Sequence, residues 1–471
     1  MSRIVLVTGG AAGIGWATTR RFAAAGERVV IADIDLAAAQ ARADSLGPQH
    51  AAMHADIGAA ETATALVEAV VTRFGRLDVL INNAGVIDSG GTQIVDQPME
   101  ALQRLLSINL LGMERISRAA HAVMRVQSPL AEGGPRGVIV NLASGAAFRA
   151  IPLRNGYSAS KAGVVAMTHS FGCAWAREGV RVNALAPGYI LTDLVADLIQ
   201  RGRVDPALAV RRIPLGRMGT PEEMADCAAF LASPSAEGMV GGVLIADGGG
   251  SSFGGSDDAH IQRGAPPVAP PDGTPVYAVA GMETLLGDAC ARGLRARGFQ
   301  VVDITAAERV GRLDGLVNAA GTDGLLDPEA DSATQLERHL EAQMRAGQVA
   351  GRRMLVQGFG AVVNLTASSG LAAGLGPHGG AVASAAIGML TRSMACEWGG
   401  SGVRANALCV GPLAGDKLWR RMPGGQAISP DAVAGAVAFL LSPAAGYITG
   451  SIIAMDGGAA HYAGPDMEEP A

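Results

Sequence analysis

Tyr157 and Lys161 stand four residues apart in Tyr157-Ser158-Ala159-Ser160-Lys161. On a helix they share one face, one turn apart. A phenol of ordinary pKa ~10 is a poor base at neutral pH, and an adjacent ammonium favours its ionised form. Such a pair is the acid/base an alcohol needs when its carbon gives up hydride and its oxygen a proton. Lysine is scarce: of 37 Lys and Arg residues only Lys161 and Lys417 are lysine. An arginine, bulkier and permanently charged, would not serve equivalently at position 161. Lys417 has no comparable account.

A second set lies at the N-terminus. Thr8-Gly9-Gly10-Ala11-Ala12-Gly13-Ile14-Gly15 follows the β-rich run Ile4 to Val7 and opens a helix. Glycines there let the backbone approach a pyrophosphate whose charge the helix N-terminus meets. Asp33, just after the second apolar run, would accept hydrogen bonds from ribose hydroxyls and repel a 2′-phosphate. Neither Ala11 nor Ala12 is a cation that could hold that phosphate. The reading is NAD over NADP.

The elements that position these groups alternate. Short apolar runs at Ile4 to Val7, Val29 to Ala32, Val79 to Ile81, Val138 to Leu142 and Val180 to Leu185 are separated by helical stretches such as Ala17 to Ala25 and Ala162 to Arg177. This predicts a doubly wound α/β fold, a parallel sheet with helices on both faces. Half the 471 residues are apolar and 17% are charged, which excludes disorder for most of the chain. The net charge of −6 gives no footprint for nucleic acid or an anionic membrane. No uninterrupted apolar stretch of ~18 residues suggests a membrane span, and no cleavable signal pattern opens the chain, so a cytoplasmic protein is expected. The five cysteines are widely spaced without a CxxC pair, and the eight histidines show no ligand spacing, so no metal site is expected.

The chain also repeats itself. Gly75-Arg76-Leu77-Asp78-Val79-Leu80-Ile81-Asn82 recurs as Gly311-Arg312-Leu313-Asp314-Gly315-Leu316-Val317-Asn318, and Val180-Arg181-Val182-Asn183 as Val403-Arg404-Ala405-Asn406. Asp247-Gly248-Gly249 returns as Asp456-Gly457-Gly458 in the same order. A whole domain is duplicated. The expected division is a catalytic NAD-binding domain at 1–254, a Pro/Gly-rich linker at 255–274, a second copy at 275–458 and a tail at 459–471.

These motifs resemble the short-chain dehydrogenase/reductase family: the glycine turn at Thr8 to Gly15, Asn82-Asn83-Ala84-Gly85, Tyr157 to Lys161, and Pro187-Gly188 after Asn183. The resemblance covers residues 1 to 250 and implies a Rossmann-like fold in each copy. It assigns Tyr157 as acid/base, Lys161 as its electrostatic partner on the nicotinamide ribose, Ser144 as the group orienting the substrate oxygen, and Asn109 as holding a water in a proton relay. Its cofactor positions fall on Gly9, Gly13, Ile14 and Gly15, Asp33 with Ile34, Asp56 with Ile57, Asn83, Ala84 and Gly85, Tyr157 and Lys161, and Pro187, Gly188, Ile190 and Thr192. Ala146, Arg154 and Tyr189 would border the substrate. Arg154 is either a cation for a substrate carboxylate or an exposed or interface arginine. The implied activity is NAD-dependent exchange of hydride with a secondary alcohol or ketone. The alternatives are an NADP-dependent 3-oxoacyl-type reductase and a non-catalytic nucleotide-binding sensor or scaffold.

The second copy reads as degenerate. Ungapped pairing around the catalytic helix sets Ser144 against Ala367, Tyr157 against Gly380 and Lys161 against Ser384, and upstream Asn109 pairs with Gln343. Gly10 becomes Met282, Gly13 becomes Leu285, and Thr305 stands at the Asp33 position. The span between Asp33 and Gly75 is almost wholly missing after Thr305, so an edge βα unit should be absent. Family members assemble through the helix bearing the tyrosine. The second copy is therefore expected to replace a partner subunit, and the chain to form a homodimer of pseudo-dimeric chains.

Overall fold

The computed structural model describes residues 2–87, 93–149, 151, 153–202, 204–255, 258–324, 331–372, 375–413, 420 and 422–462. Lys417 and the end of the tail lie outside them. By packing, the chain divides into two compact units. The first is Met1–Arg203, Gly219–Ser233 and Gly241–Ile245; the second is Val204–Met218, Pro234–Val240 and Ala246–Ala471.

The first copy runs β1 (Ile4–Thr8), α1 (Gly13–Ala24), β2 (Arg28–Asp33), α2 (Leu36–Leu46), β3 (Ala51–His54), α3 (Thr62–Phe74), β4 (Val79–Asn82), α4 (Met99–Leu106), α5 (Met113–Met124), β5 (Gly137–Leu142), α6 (Asn155–Trp175), β6 (Val180–Pro187), α7 (Asp193–Gln200), α8 (Pro206–Val210), α9 (Pro221–Leu231) and β7 (Val243–Ala246). Its seven strands are ordered β3-β2-β1-β4-β5-β6-β7, and the pairings from β3 to β6 are parallel. Val5, Leu6, Val7, Leu80, Ile81 and Ile139 are fully buried, as the central strands of a sheet covered on both faces must be.

The second copy runs β8 (Val276–Ala280), α10 (Leu285–Ala296), β9 (Gln300–Asp303), β10 (Gly315–Asn318), α11 (Ser332–Gln335), α12 (Ala342–Gln357), β11 (Gly360–Ala367), α13 (His378–Trp398), β12 (Val403–Val410), α14 (Pro430–Leu441) and β13 (Ile452–Met455). Its six strands are ordered β9-β8-β10-β11-β12-β13, the first sheet without its edge strand β3. Registers match between copies: Ile4 faces Arg28 and Val276 faces Gln300. The expected deletion is therefore real, and it falls where a strand is lost without opening the core.

Each sheet is tied to its long helix by the same buried polar chain. Asn82 Nδ2 donates to Asn141 Oδ1 at 2.9 Å, and Asn141 Nδ2 to Thr168 Oγ1 at 3.0 Å. Asn318, Asn364 and Thr391 repeat it at 2.9 and 2.8 Å. These buried hydrogen bonds link the central strands to the long helix in the same way in both copies.

The linker is laid along the second unit. Ala265 N donates to Leu355 O at 2.7 Å, Val268 N to Gly358 O at 3.0 Å, and Arg312 Nη1 to Pro271 O at 2.7 Å. First-copy segments also pack in this unit. Gly248 N donates to Tyr447 O at 3.0 Å and Gly457 N to Gly238 O at 2.9 Å. Tyr447, a fully buried tyrosine, donates its hydroxyl to Arg217 O at 3.3 Å.

Candidate active site

Helix α6 begins at Asn155, so Tyr157 lies in its first turn and Lys161 one turn on, as their spacing predicts. The Tyr157 phenol is hydrogen-bonded to Ser144. Ser144 follows β5, and its Oγ accepts from Ala146 N at 3.1 Å, which fixes the turn that presents it. Lys161 is 4% exposed. Its Nζ donates to Leu142 O at 2.7 Å and lies 5.8 Å from the centre of the Tyr157 ring. Burial lowers Lys161 to about 8. Burial also raises Tyr157 above its ordinary value, outweighing the Ser144 hydrogen bond and the charge of Arg154, which both lower it. In the protein alone, Tyr157 is thus a protonated acid rather than the phenolate that the adjacent ammonium suggested.

Asn109 sits in a π-helical turn, Ser107–Gly112, between α4 and α5. Such insertions recur at functional sites. Its amide clamps one residue of backbone, accepting from Val86 N and donating to Val86 O, both at 2.8 Å, and it reaches Ser160 Oγ at 3.3 Å. Ser160 Oγ in turn donates to Tyr157 O at 2.8 Å. The Asn109 side chain therefore joins the segment after β4 to the helix carrying the tyrosine. Leu153, just upstream of Arg154, is the one non-glycine residue at positive φ (65°) among the described residues. Backbone strain of this kind concentrates at functional sites. Arg154 is half-buried and near enough to act on Tyr157 electrostatically; Ala146 is buried and Tyr189 is 46% exposed.

The cofactor positions gather at the same edge of the sheet. A Cβ on Gly15 would collide with the Gly9 carbonyl, and Gly9 has φ +61°, so both places require glycine. Helix α1, capped only by Ala12, keeps its first N–H groups free of any side-chain cap, the arrangement an anionic pyrophosphate fits. Asn83 Nδ2 pins the turn by donating to Thr8 O at 3.1 Å and Gly9 O at 2.9 Å, and Ala84 N donates to Thr8 Oγ1. Asp33 Oδ2 accepts from Ala11 N at 3.1 Å, with Ile34 exposed beside it. Asp56 is exposed and braced by Gly58 N, and Ile57 is buried. A Cβ on Gly85 would lie 3.2 Å from Asn109 Oδ1 and 3.7 Å from Lys161 Nζ, and one on Gly13 3.6 Å from Thr192 Cγ2. Pro187 ends β6; beyond Gly188, Ile190 bridges to Gly219, and Thr192 caps α7 through Val195 N. Sequence reasoning missed Arg42, whose Nε donates to Ala11 O at 3.3 Å while its guanidinium lies 4.6 Å over the Trp16 ring. Its cue was position on α2, visible only once the helix is folded against the turn.

The second copy has closed its nucleotide end. Thr284 Oγ1 accepts from Gly287 N at 3.0 Å and Asp323 Oδ1 from Leu285 N at 3.2 Å, so α10 is capped by its own chain and by an anion. The expected pairing of Asn109 with Gln343 is corrected. Gln127 and Gln357 make identical backbone bridges, to Leu77 and Leu313, and counting back along each helix pairs Asn109 with His339. Gly321 meets His339 Nδ1 as Gly85 meets Asn109. The sequence alignment slipped one turn because a helix keeps its face at a four-residue shift. Gln343 instead matches Met113, and its Nε2 donates to Leu365 O at 2.7 Å, the carbonyl equivalent to the one Lys161 holds.

A family model described as Enoyl-(Acyl carrier protein) reductase matches residues 9–251 and 299–460. An uncharacterized short-chain type dehydrogenase/reductase, y4vI of Sinorhizobium fredii, is 33% identical and matches 97% of this chain and 92% of its own. The cis-4-hydroxycyclohexanecarboxylate dehydrogenase of Sinomonas cyclohexanicum is 38% identical over 52% of this chain and 96% of its own. The crystal structure of gox2181 superposes with a TM-score of 0.50 at 33% identity, covering 54% of this chain and 96% of that one. With two matched regions and a full-length relative of tandem size, the chain belongs to the short-chain dehydrogenase/reductase family of oxidoreductases.

Proposed function

We propose that the first copy, residues 1–254, transfers hydride between NAD(H) and a secondary alcohol or ketone. The observation that carries this reading is the Ser144–Tyr157 hydrogen bond beside buried Lys161. The residues around α1 fit a dinucleotide: an uncapped helix N-terminus, a glycine turn and the Asp33 carboxylate. A nicotinamide bound there supplies the hydride acceptor or donor. Ser144 orients the substrate oxygen, and Tyr157, protonated at neutral pH, moves the proton at that oxygen. Lys161 places a positive charge behind the phenol and stabilises it as the proton leaves. Asn109, its amide committed to Val86, is a positioning residue.

Arg42 supports a second reading. It holds a cation on the carbonyl of Ala11, the residue whose N–H Asp33 accepts, near where a 2′-phosphate would lie, and this favours the NADP-dependent 3-oxoacyl-type reductase alternative. Arg154 would bind an acidic substrate group, as a carboxylate-bearing alcohol of the kind named for the Sinomonas relative requires.

Residues 275–458 would serve as a built-in partner, joined by the linker at 255–274. In support, the second unit takes in three first-copy segments, held by Tyr447, Gly248 and Gly457. Two such chains would form the homodimer.

The test follows nicotinamide absorbance for wild type and Tyr157→Phe with NAD and NADP across hydroxy acids, cyclic alcohols and acyl thioesters. A loss of at least ~10²-fold in kcat is expected; turnover unchanged in Tyr157→Phe defeats the mechanism, and turnover with neither nucleotide in wild type defeats the function.

A further inference from the structure

In the first unit, the helix face running along α4, the π turn and α5 presents Leu105, Asn109 and Met113 to the catalytic end of the sheet, and all are buried. In the second unit the same face, one turn apart each time, carries Gln335, His339 and Gln343, exposed by 0, 1 and 0%. Across from Gln343, the position of Ala143 is taken by Thr366, also buried at 2%. Met113 and Ala143 share one apolar cluster in the first unit. The second unit has replaced that apolar pair with an amide and a hydroxyl.

These polar atoms are not consumed by the fold. Both ring nitrogens of His339, Oε1 of Gln343 and Oγ1 of Thr366 are buried without a hydrogen-bond partner, and Ser369 Oγ beyond β11 is the same. Asn109 had the Val86 backbone and Ser160 as partners. His339 has neither, because the chain after β10 turns into a short 3-10 segment, Thr322–Gly324, and Ala383 stands at the Ser160 position. His339 and Gln343 stand one turn apart on one buried helix face, and Gln343 reaches the strand that carries Thr366. Gln343 Nε2 holds Leu365 O, the residue before Thr366. Thr366 shares its strand face with Asn364, whose partner Asn318 donates to Gln343 O. By contrast Asn318 Oδ1 is unpartnered in both copies, as Asn82 Oδ1, and carries no such meaning.

Unpartnered buried polar groups of this number are costly unless something satisfies them. The nucleotide end is closed by Thr284 and Asp323, so a dinucleotide is not the occupant. We propose that the second unit binds a small, neutral, hydroxyl-bearing molecule between His339, Gln343 and Thr366, at the positions that Asn109, Met113 and Ala143 hold in the first unit. Neutral chemistry follows from the set. It offers an amide acceptor, an imidazole with one donor and one acceptor, and a hydroxyl. A carboxylate would face the Gln343 oxygen, and Arg338, the cation whose charge acts on His339, stands exposed at the neighbouring helix position and off the buried face; among these groups an ammonium finds no anion. A hydroxyl both donates and accepts, which is what each of these groups lacks. The site does not depend on whether the first unit is active.

The test uses the full chain labelled with ¹⁵N-histidine and carrying Tyr157→Phe, so that turnover does not interfere. Three probes share one skeleton: propane-1,2-diol, lactate and 1-amino-2-propanol. The His339 ring signals, assigned by their loss in His339→Asn, should shift saturably with the diol. Lactate and the amine should bind at least about tenfold more weakly. Gln343→Met with Thr366→Ala restores the residues of the first unit and keeps a packed core; in this variant the diol response should vanish. A His339 signal that does not move, equal responses to all three probes, or a response retained in the double variant would overturn the proposal.

Discussion

The buried ammonium of Lys161 makes a measurable demand on the fold. A lysine whose ordinary value of 10.5 falls to about 8 costs the folded state on the order of 3 kcal/mol while charged, at ~1.36 kcal/mol per pH unit. The unfolded chain binds more protons between those two values, so stability should rise as pH climbs from about 8 to about 10.5. Below about 8 both states are charged and the cost is present in full; above about 10.5 both are neutral and it is gone. Lys161→Met removes this dependence. It also leaves Leu142 O without its 2.7 Å donor, which takes back ~1–2 kcal/mol. At neutral pH the variant should be inactive yet more stable by ~1–2 kcal/mol. The assay is urea unfolding of the nucleotide-free full chain at several pH values, read by pulsed hydrogen exchange on peptides spanning β4 and β5. Peptide-level reading isolates the first unit, since two units need not unfold together. Wild-type and variant curves that stay parallel across the window would refute the reasoning.

Asn109→Ala should lower kcat by ~10²-fold through misplacement of Tyr157 rather than loss of a reacting group, with nucleotide affinity little changed; steady-state kinetics beside nucleotide titration check this. Asp33→Asn should weaken NAD binding by about tenfold, ~1.4 kcal/mol, and Arg42→Ala should weaken NADP relative to NAD; binding titrations with each nucleotide separate the two effects. Tyr447→Phe, which loses only the hydroxyl on Arg217 O, should cost ~0.5–1.5 kcal/mol, whereas Tyr447→Ala empties a buried ring site and should cost ~3–5 kcal/mol. Urea unfolding read on second-unit peptides measures both.

Much of this molecule is legible in its sequence because the relevant signals are local. The glycine turn, the Tyr157–Lys161 spacing and the missing edge unit each depend on residues a few positions apart, or on a gap in an aligned repeat. The signals that failed are those set in three dimensions. Strand β3, Ala51–His54, is expected from the gap in the repeat, but its own residues, none of them β-branched, do not mark its bounds, which pairing with β2 sets. Arg42 reaches the cofactor turn only because α2 folds back over it. The pairing of Asn109 with His339 is hidden from alignment, since a one-turn slip preserves the helix face and only the Gln127 and Gln357 bridges fix it. The effect of burial on Tyr157, which raises it above its ordinary value, is not visible in the Tyr157–Lys161 spacing, because burial is a property of the surrounding fold.

The two helix N-termini, one bare on α1 and one sealed on α10, give the two halves of the chain different relations to the nucleotide supply. A half whose terminal donors await an external anion gains stability with nucleotide concentration by mass action. A half that supplies its own cap holds the same shape whether nucleotide is abundant or scarce. Joined in one polypeptide, the two halves would answer differently to the same nucleotide: one gains stability from it, and the other, sealed by Thr284 and Asp323, does not.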